Sequence, residues 1–259
     1  MTRGRAAGLA LALSAGAAAP ALGQAPFSTD DAGTTAPRRF HLELAAAFAE
    51  LPAADRPAHA QQTLVTSIAL GLGDRVEVGI DWPWIAIRSI DAPDAVGSGD
   101  LNTYLKWRIL DASGRRPALA LVGALELPTG EERRGLGSGE RDETLYGIVE
   151  WSGPGRVDLR ANLGVVFAGN SLTGDVGLRS DSRIWIGGVS GTVEGERLAL
   201  GVELTGAVGR LAGERTREAR LQAGARRALG PRAALALAVQ RGWHAAPPWQ
   251  ASLGLVLDP

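Results

Sequence analysis

Charged side chains recur at every second position along several segments of this chain, and they are the residues best placed to do chemistry. On a β-strand, successive side chains point to opposite faces, so each of these segments would have one charged and one apolar face. Inside a closed sheet, such charges can pair across neighbouring strands, and rings of charge can set which solutes pass. The candidate lumen-lining residues are Glu43, Glu77, Asp81, Lys106, Arg108, Glu126, Glu150, Asp158, Arg160, Glu203, Glu218, Arg220 and Arg226.

Catalytic and metal-binding patterns are not evident in the sequence. The histidines His41, His59 and His244 have no partner at a metal-ligand spacing, and the chain has no cysteine. No Gly-x-Ser-x-Gly segment marks a nucleophile, and the glycine-rich residues 135–139 lack the Gly-Lys-Ser/Thr ending of a phosphate loop. We therefore expect no enzyme activity, no cofactor and no metal site.

The N-terminal residues have the pattern of a secretory signal peptide. Arg3 and Arg5 precede an apolar run over residues 6–19, and small residues at Ala21 and Gly23 suit cleavage before Gln24. Residues 1–23 are thus predicted to be removed on export. Residues 24–39 have no sustained periodicity, and they fit either a flexible leader, the favoured reading, or a plug inside a lumen.

Charge and hydropathy narrow the class of protein further. The chain has 27 basic and 28 acidic residues, and loss of Arg3 and Arg5 would make the remainder slightly more acidic, which gives no reason to expect a nucleic-acid partner. Beyond the N-terminal segment, no run approaches the ~20 apolar residues of a helical span. If the chain crosses a membrane, it must cross as a closed barrel.

Strand-like alternation continues almost to the end of the chain. In residues 157–168, Leu159, Leu163 and Val165 alternate with Asp158 and Arg160. Strands of this length exceed the usual five or six residues of soluble sheets. We predict twelve strands, at about 40–50, 62–72, 74–88, 100–110, 117–128, 143–151, 156–168, 183–193, 197–208, 217–228, 232–243 and 249–257.

The connections between these strands are predicted to alternate in length. Short turns rich in glycine, proline and aspartate separate longer polar segments at 51–61, 89–99, 129–142, 169–182, 209–216 and 241–248. This alternation is typical of a transmembrane barrel with short periplasmic turns and longer outer loops. We therefore predict an all-β fold: a single antiparallel up-and-down transmembrane β-barrel spanning residues 40–259.

Tryptophans near the strand ends favour a membrane over a soluble sandwich. They fall on the apolar parity, where barrels have interfacial aromatic girdles. The predicted girdle residues are Trp107, Trp151, Trp185, Trp243 and Trp249. The predicted location is the bacterial outer membrane, with its lipid as the surrounding partner and the oligomeric state open.

Several short motifs resemble the outer-membrane family labelled as transporters of the MetA pathway of phenol degradation. The resemblance covers nearly all of the chain after residue 23. Its motifs lie at residues 27–31, 71–79, 81–84, 99–101, 106–108, 126–130 and 135–139. The resemblance implies passage of aromatic or other small organic molecules.

Three functions are consistent with these observations. The first is a passive channel or transporter for small organic solutes, aromatic or hydrophobic ones included. The second is a closed structural or adhesion barrel whose outer loops bind lipid or a partner. The third and least favoured is a secreted soluble β-sandwich that binds a ligand. A barrel of twelve strands lies between the filled eight-stranded and the open sixteen-stranded size, so whether its lumen is open depends on a plug.

Overall fold

Alternating apolar and polar side chains place most of the chain in β-strands. The computed structural model describes residues 25–169, 182–211 and 214–258. Within them, no helix is long and apolar enough to span a membrane, and short 3-10 helices form at Ala53–Asp55 and Glu132–Arg134. The strands are β1 Phe40–Glu50, β2 Ala58–Gly71, β3 Val76–Ser89, β4 Ala95–Ser98, β5 Leu101–Leu110, β6 Ala118–Leu127, β7 Asp142–Gly153, β8 Val157–Phe167, β9 Arg183–Glu194, β10 Leu198–Leu211, β11 Glu214–Gly230, β12 Ala233–His244 and β13 Trp249–Leu257.

These strands form one antiparallel sheet that closes on itself. Strands adjacent in the chain are neighbours in the sheet, with one exception. β4 and β5 do not pair with each other; both pair with β3, β5 with its first half and β4 with its second half. The sheet closes where β13 returns to β1, in register from the Leu42–Leu257 pair to the Glu50–Trp249 pair. Since β4 and β5 together occupy one strand position, the barrel has twelve positions. The predicted fold class and strand number are confirmed.

Two predicted long loops are wrong. Residues 209–216 belong largely to strands, because β10 and β11 stay paired as far as the Leu211–Glu214 pair, leaving residues 212–213 as the connection. The predicted 241–248 loop shrinks to residues 245–248, because β12 continues to His244. Long and short connections therefore alternate less regularly than predicted. The described connections at residues 51–57 and 128–141 lie at one end of the barrel, called here the loop end, and the opposite end is the turn end. The predicted 169–182 loop lies almost entirely outside the described residues.

The two faces of the barrel wall have opposite character. Leu163 on β8 is 68% exposed and Val202 on β10 is 58% exposed, whereas the next residue after Val202, Glu203, is only 2% exposed. A soluble protein would bury the apolar face and expose the charged one. Here the apolar face is outside, which is the arrangement that a hydrocarbon surrounding requires.

The height of the apolar outer face also fits a bilayer. On β10 the outward residues run from Leu198 to Val208 without a charge. Ten rises of about 3.3 Å, tilted by about 40°, give a band roughly 25 Å tall, the value typical of outer-membrane barrels. The strand pattern therefore sets both the identity of the outer face and its height.

Candidate functional site: the occupied lumen

The sequence-predicted lumen residues lie on the inner face of the wall, spread around the barrel. Glu43, Glu77, Asp81, Lys106, Glu203 and Glu218 are buried. The rest are partly buried: Arg108, Glu126, Glu150, Asp158, Arg160, Arg220 and Arg226. What the sequence alone did not reveal is that many of these groups bind the N-terminal segment of the same chain.

Most of the segment of residues 25–37 lies inside the barrel, and only its end, Ala36 and Pro37, is exposed. Ala25, Phe27, Thr29, Asp30 and Ala32 are all buried. The segment begins beside β1, β12 and β13, crosses the lumen to β8, β9 and β10, and returns towards β3 and β5. It forms no ladder with the wall beyond an isolated bridge between Pro37 and Gly71.

Carboxylates of the wall hold this segment by its backbone. The carboxylate of Glu203 accepts hydrogen bonds from the amide N–H groups of Ser28, at 3.1 Å, and Thr29, at 2.5 Å. Similar bonds join Ala25 to Glu43, Ala32 to Glu150 and Thr35 to Glu77. The segment has no helix or strand of its own, so its buried backbone N–H groups need other acceptors. The wall carboxylates supply them, and an ionised carboxylate makes a stronger hydrogen bond with an amide N–H than a neutral acceptor would.

Side-chain amides and hydroxyls of the wall add to these bonds. Asn162 both accepts from the Asp30 amide N–H, at 2.6 Å, and donates to the Asp30 carbonyl, at 3.1 Å. Thr29 Oγ1 lies 2.6 Å from Ser190 Oγ. The Gln222 side-chain amide donates to the carbonyl oxygen of Pro26 at 2.6 Å.

A buried ion pair also holds the segment, in the middle of the lumen. Lys106 Nζ lies 2.8 Å from Asp30 Oδ1 and 3.9 Å from Asp31 Oδ1. Tyr146 donates its hydroxyl to Asp30 Oδ2 at 3.1 Å. Lys106 and Asp30 are 5% and 2% exposed, so neither charge has much access to water. Each therefore depends on the other for compensation.

Small wall residues make room for the segment. A Cβ atom on Gly201 would lie 2.7 Å from Phe27 Cζ, and one on Gly224 would lie 2.6 Å from Pro26 Cγ. Ala32 is completely buried among Ala118, Ala120, Val122, Tyr146 and Ile148. Glycine and alanine at these inward positions are the signal that sequence reasoning missed, since a lumen open to water has no need of them.

Other inward charges form local pairs. Arg160 Nε lies 3.1 Å from Glu150 Oε1 on the neighbouring strand, and Arg108 Nε lies 3.1 Å from Asp111 at the turn end. Arg220 pairs with Glu218 two residues away on the same strand. The Arg160–Glu150 contact is a cross-strand pair of the predicted kind, but Glu43, Lys106 and Glu203 are engaged with the N-terminal segment.

A cavity of about 420 Å³ lies beside the segment towards the turn end. Its wall includes Asp31, Thr35, Arg39, His41 and Glu43. His41 Nδ1 contacts Asp258 Oδ1 at 2.7 Å, close to where β13 ends. The lumen is thus filled in its middle and hollow at the turn end.

The loop end has a separate closure formed by residues 128–141. Leu136, only 2% exposed, inserts into an apolar cluster with Leu51, Ala58, Ile85, Ile87 and Ala95. The carboxylate of Asp100 accepts the amide N–H groups of Gly130, at 2.8 Å, and Ser138, at 2.6 Å, which fixes the loop over the barrel mouth.

Acidic groups accumulate at this closure. Glu126 and Asp142 are directly opposite each other on β6 and β7. In the loop itself, burial, followed by the nearby charge of Glu132, raises the pKa of Glu140. Among the described residues, no group of three or more histidines or acids is placed to hold a metal ion. His59 lies at the start of β2 and His244 at the end of β12, both at the loop end.

The predicted girdle tryptophans lie towards the two ends of the wall. Trp185, Trp243 and Trp249 lie near the loop end, and Trp107 and Trp151 lie near the turn end. All except the partly buried Trp151 are exposed. The closed sheet, its apolar outer face and these two aromatic levels define a transmembrane β-barrel.

Comparison with solved structures identifies similar barrels. The crystal structure of the COG4313 outer membrane channel from Pseudomonas putida F1 matches with a TM-score of 0.65 at 15% identity, covering 88% of this chain and 97% of that chain. The translocator domain of the autotransporter NalP from Neisseria meningitidis matches with a TM-score of 0.50 at 10% identity, covering 85% and 88%. At these identities the likeness establishes the fold.

Sequence comparison adds no family. No family model matches the chain, and no curated protein matches it. The resemblance to the MetA-pathway transporters is therefore not confirmed.

Proposed function

We propose that this chain is an outer-membrane barrel that works as a passive channel for small organic solutes, aromatic or hydrophobic ones included, with residues 25–37 as its plug. The apolar outer band and polar inner wall support the location. The shared fold of the COG4313 outer membrane channel is consistent with it. The residues 1–23 that would direct export lie outside the described part of the chain, so the signal peptide stays a prediction.

The observation that carries the proposal is the way in which the lumen is filled. The segment is held by hydrogen bonds, one ion pair and small apolar contacts, with no continuous β-pairing. A hydrogen bond typically contributes only about 0.5–1.5 kcal/mol net, so water or a polar solute can replace these bonds one at a time. The segment can therefore shift without breaking the barrel wall, and the cavity beside it at the turn end would continue the path.

A second candidate function has its own support. Ala32 is fully buried, and Leu136 packs at the loop end in a cluster that does not include the segment. A lumen filled at two levels also suits a structural or adhesion barrel that never conducts. Neither candidate requires catalysis, and we expect no enzyme activity.

A reversible lock on the segment distinguishes the two candidates. The chain has no cysteine, so a Thr29→Cys/Ser190→Cys double variant would contain a single pair of thiols, at positions whose side-chain oxygens are 2.6 Å apart. The refolded chain from Gln24 onward is placed in a planar bilayer, and single-channel current is recorded under oxidising and reducing conditions. The Thr29→Cys variant alone is the matched control.

Each outcome assigns a function. Current in the reduced double variant that disappears on oxidation, with no change in the control, supports a plugged channel. Folded barrels that are silent in both states support the closed structural barrel. Current that is the same under oxidising and reducing conditions contradicts the role of the segment as a plug, because ions would then pass around the fixed segment. Neutralising Arg160 or Glu203 should change ion selectivity if the lumen conducts.

A further inference from the structure

The outer face at the loop end of β9, β10 and β11 has an unusual concentration of arginines. Arg183, Arg210, Arg215 and Arg217 are all exposed. Arg210 and Arg215 are direct cross-strand partners. The neighbouring Ile184–Gly209 pair of the β9–β10 register brings Arg183 opposite Arg210. We call these four residues the arginine surface.

The charges of this surface are not neutralised within the described part of the chain. Arg210, Arg215 and Arg217 make no ion pair there, and Arg183 contacts the ring of Phe167, at 5.5 Å from the centroid. Like charges directly opposite each other on a sheet are destabilising. A pair such as Arg210–Arg215 is therefore more stable when an anion lies between the two guanidinium groups.

The depth of the surface indicates where that anion comes from. Arg217 is the partner of Val208, and Val208 is also the partner of Trp185. The arginines thus begin where the apolar band ends, at and beyond the level of an aromatic side chain. Aromatic belts mark the boundary of the hydrocarbon, and lipid headgroups lie just outside it. Arginines deeper in the band would cost about 2–4 kcal/mol each near the midplane.

We propose that the arginine surface binds the phosphates of a diphosphorylated glycolipid, the lipid A class, in the outer leaflet. The guanidinium group binds phosphate through paired N–H donors, and four of them on adjacent strands match a headgroup that has two phosphates. The acyl chains would lie along the exposed side chains below, which include Val202, Leu204 and Val208. The inference rests on the proposed outer-membrane location.

The turn end supplies a matched set of arginines for comparison. Arg156, Arg197 and Arg227 are exposed and lie in or next to the short turns. Glu194 and Glu196 lie within three residues of Arg197 in the sequence, so negative charges accompany the arginines at the turn end. Arg227 is opposite Leu198 rather than another arginine. These three arginines lack the cross-strand cluster, and their removal takes away as many charges as removal of Arg210, Arg215 and Arg217.

The experiment measures lipid binding to the refolded barrel in detergent. The Arg210→Gln/Arg215→Gln/Arg217→Gln variant is compared with the Arg156→Gln/Arg197→Gln/Arg227→Gln variant and the unaltered chain. Each is titrated with diphosphoryl lipid A and, separately, with phosphatidylglycerol, and bound lipid is counted by native mass spectrometry. Thermal unfolding of each variant verifies that the barrel is folded.

The expected result is about a tenfold loss of lipid A affinity in the loop-end variant and less than a twofold change in the turn-end variant. Equal losses in both variants would overturn the proposal, because net charge alone would then explain binding. Phosphatidylglycerol bound as tightly as lipid A would also overturn it. The readout does not use conductance. A barrel that binds lipid A but never conducts would therefore contradict the proposed channel function and leave the lipid A site supported.

Discussion

Two elements of opposite chemistry pack inside the barrel, at two different levels. The N-terminal segment, residues 25–37, is held mainly by charge and hydrogen bonding, with Lys106 and Glu203 at its centre. The loop of residues 128–141 is held mainly by burial of Leu136, with Asp100 fixing its backbone. The segment lies in the lumen, surrounded by the wall, and the loop lies at the loop end of the barrel.

The difference indicates which closure can respond to a solute. A polar anchor can be replaced by water or by a polar group of the solute, because hydrogen-bond exchange costs little net free energy. An apolar anchor is lost only by exposing its whole surface or by giving it an apolar partner. We therefore expect charge substitutions to release the segment and volume substitutions to loosen the loop.

The largest effect is expected for Lys106→Met. The change leaves the buried carboxylate of Asp30 without its cation and should cost about 3–5 kcal/mol of unfolding free energy. Urea unfolding in detergent measures the loss, and bilayer recording should show more frequent open events. Adding Asp30→Asn to the same chain should recover part of the stability. A stable, silent Lys106→Met barrel would contradict the assignment of this pair as an anchor of the segment.

A smaller loss is expected for Leu136→Ala at the other closure. The change leaves a cavity among Ile85, Ile87 and Leu51, and truncations of this kind cost about 2–5 kcal/mol, here reduced because the site is in a loop that can relax. Proteolysis of residues 128–141 should become faster while the N-terminal segment stays protected. Equal exposure of both elements would show that the two closures are coupled rather than independent.

Asp100→Asn tests the polar contribution to the apolar closure. The asparagine keeps the shape but replaces one acceptor oxygen with a donor, so one of the Gly130 and Ser138 amide N–H groups loses its partner, at a cost of about 1–3 kcal/mol. Hydrogen exchange at these two amides gives the direct measurement. Unchanged protection at both would mean that the loop is held by Leu136 alone.

The smallest effect is expected for Arg134→Ala. Arg134 pairs with Glu131 at 3.3 Å in the same loop, but both side chains are well exposed. Exposed pairs contribute about 0–1 kcal/mol, and solvent screening favours the low end. Thermal unfolding should hardly change. A large shift would indicate that this surface pair, rather than Leu136, positions the loop.

The barrel was predictable from the sequence because its determinants are local. Alternation along residues such as Leu159, Arg160 and Ala161 assigns each side chain to a face without knowledge of its neighbours in space. The same reasoning failed at residues 209–216, where charges and glycine indicated a loop although residues 209–211 and 214–216 are strand. Polar residues on an outer face near a membrane boundary look like loop residues in sequence.

The candidate site was predictable only in part. Lys106 and Glu203 were expected to lie on the inner wall, but their partners were not foreseen, because those partners are far away in sequence. Glu203 and Thr29 are 174 residues apart, and no pattern in residues 24–39 specifies a position on the wall. The inward Gly201 and Gly224 leave space for Phe27 and Pro26, and such small inward residues are a sequence feature that indicates an occupied lumen.

The position of the N-terminal segment constrains the order in which this protein is assembled. The segment is made before any strand, yet it contacts the wall as far along the chain as Gln222, 196 residues after Pro26. Contacts of such long range form slowly and late. Its wall sites are complete only when β13 joins β1, so we infer that this segment, although synthesised before every strand, is the last to reach its place.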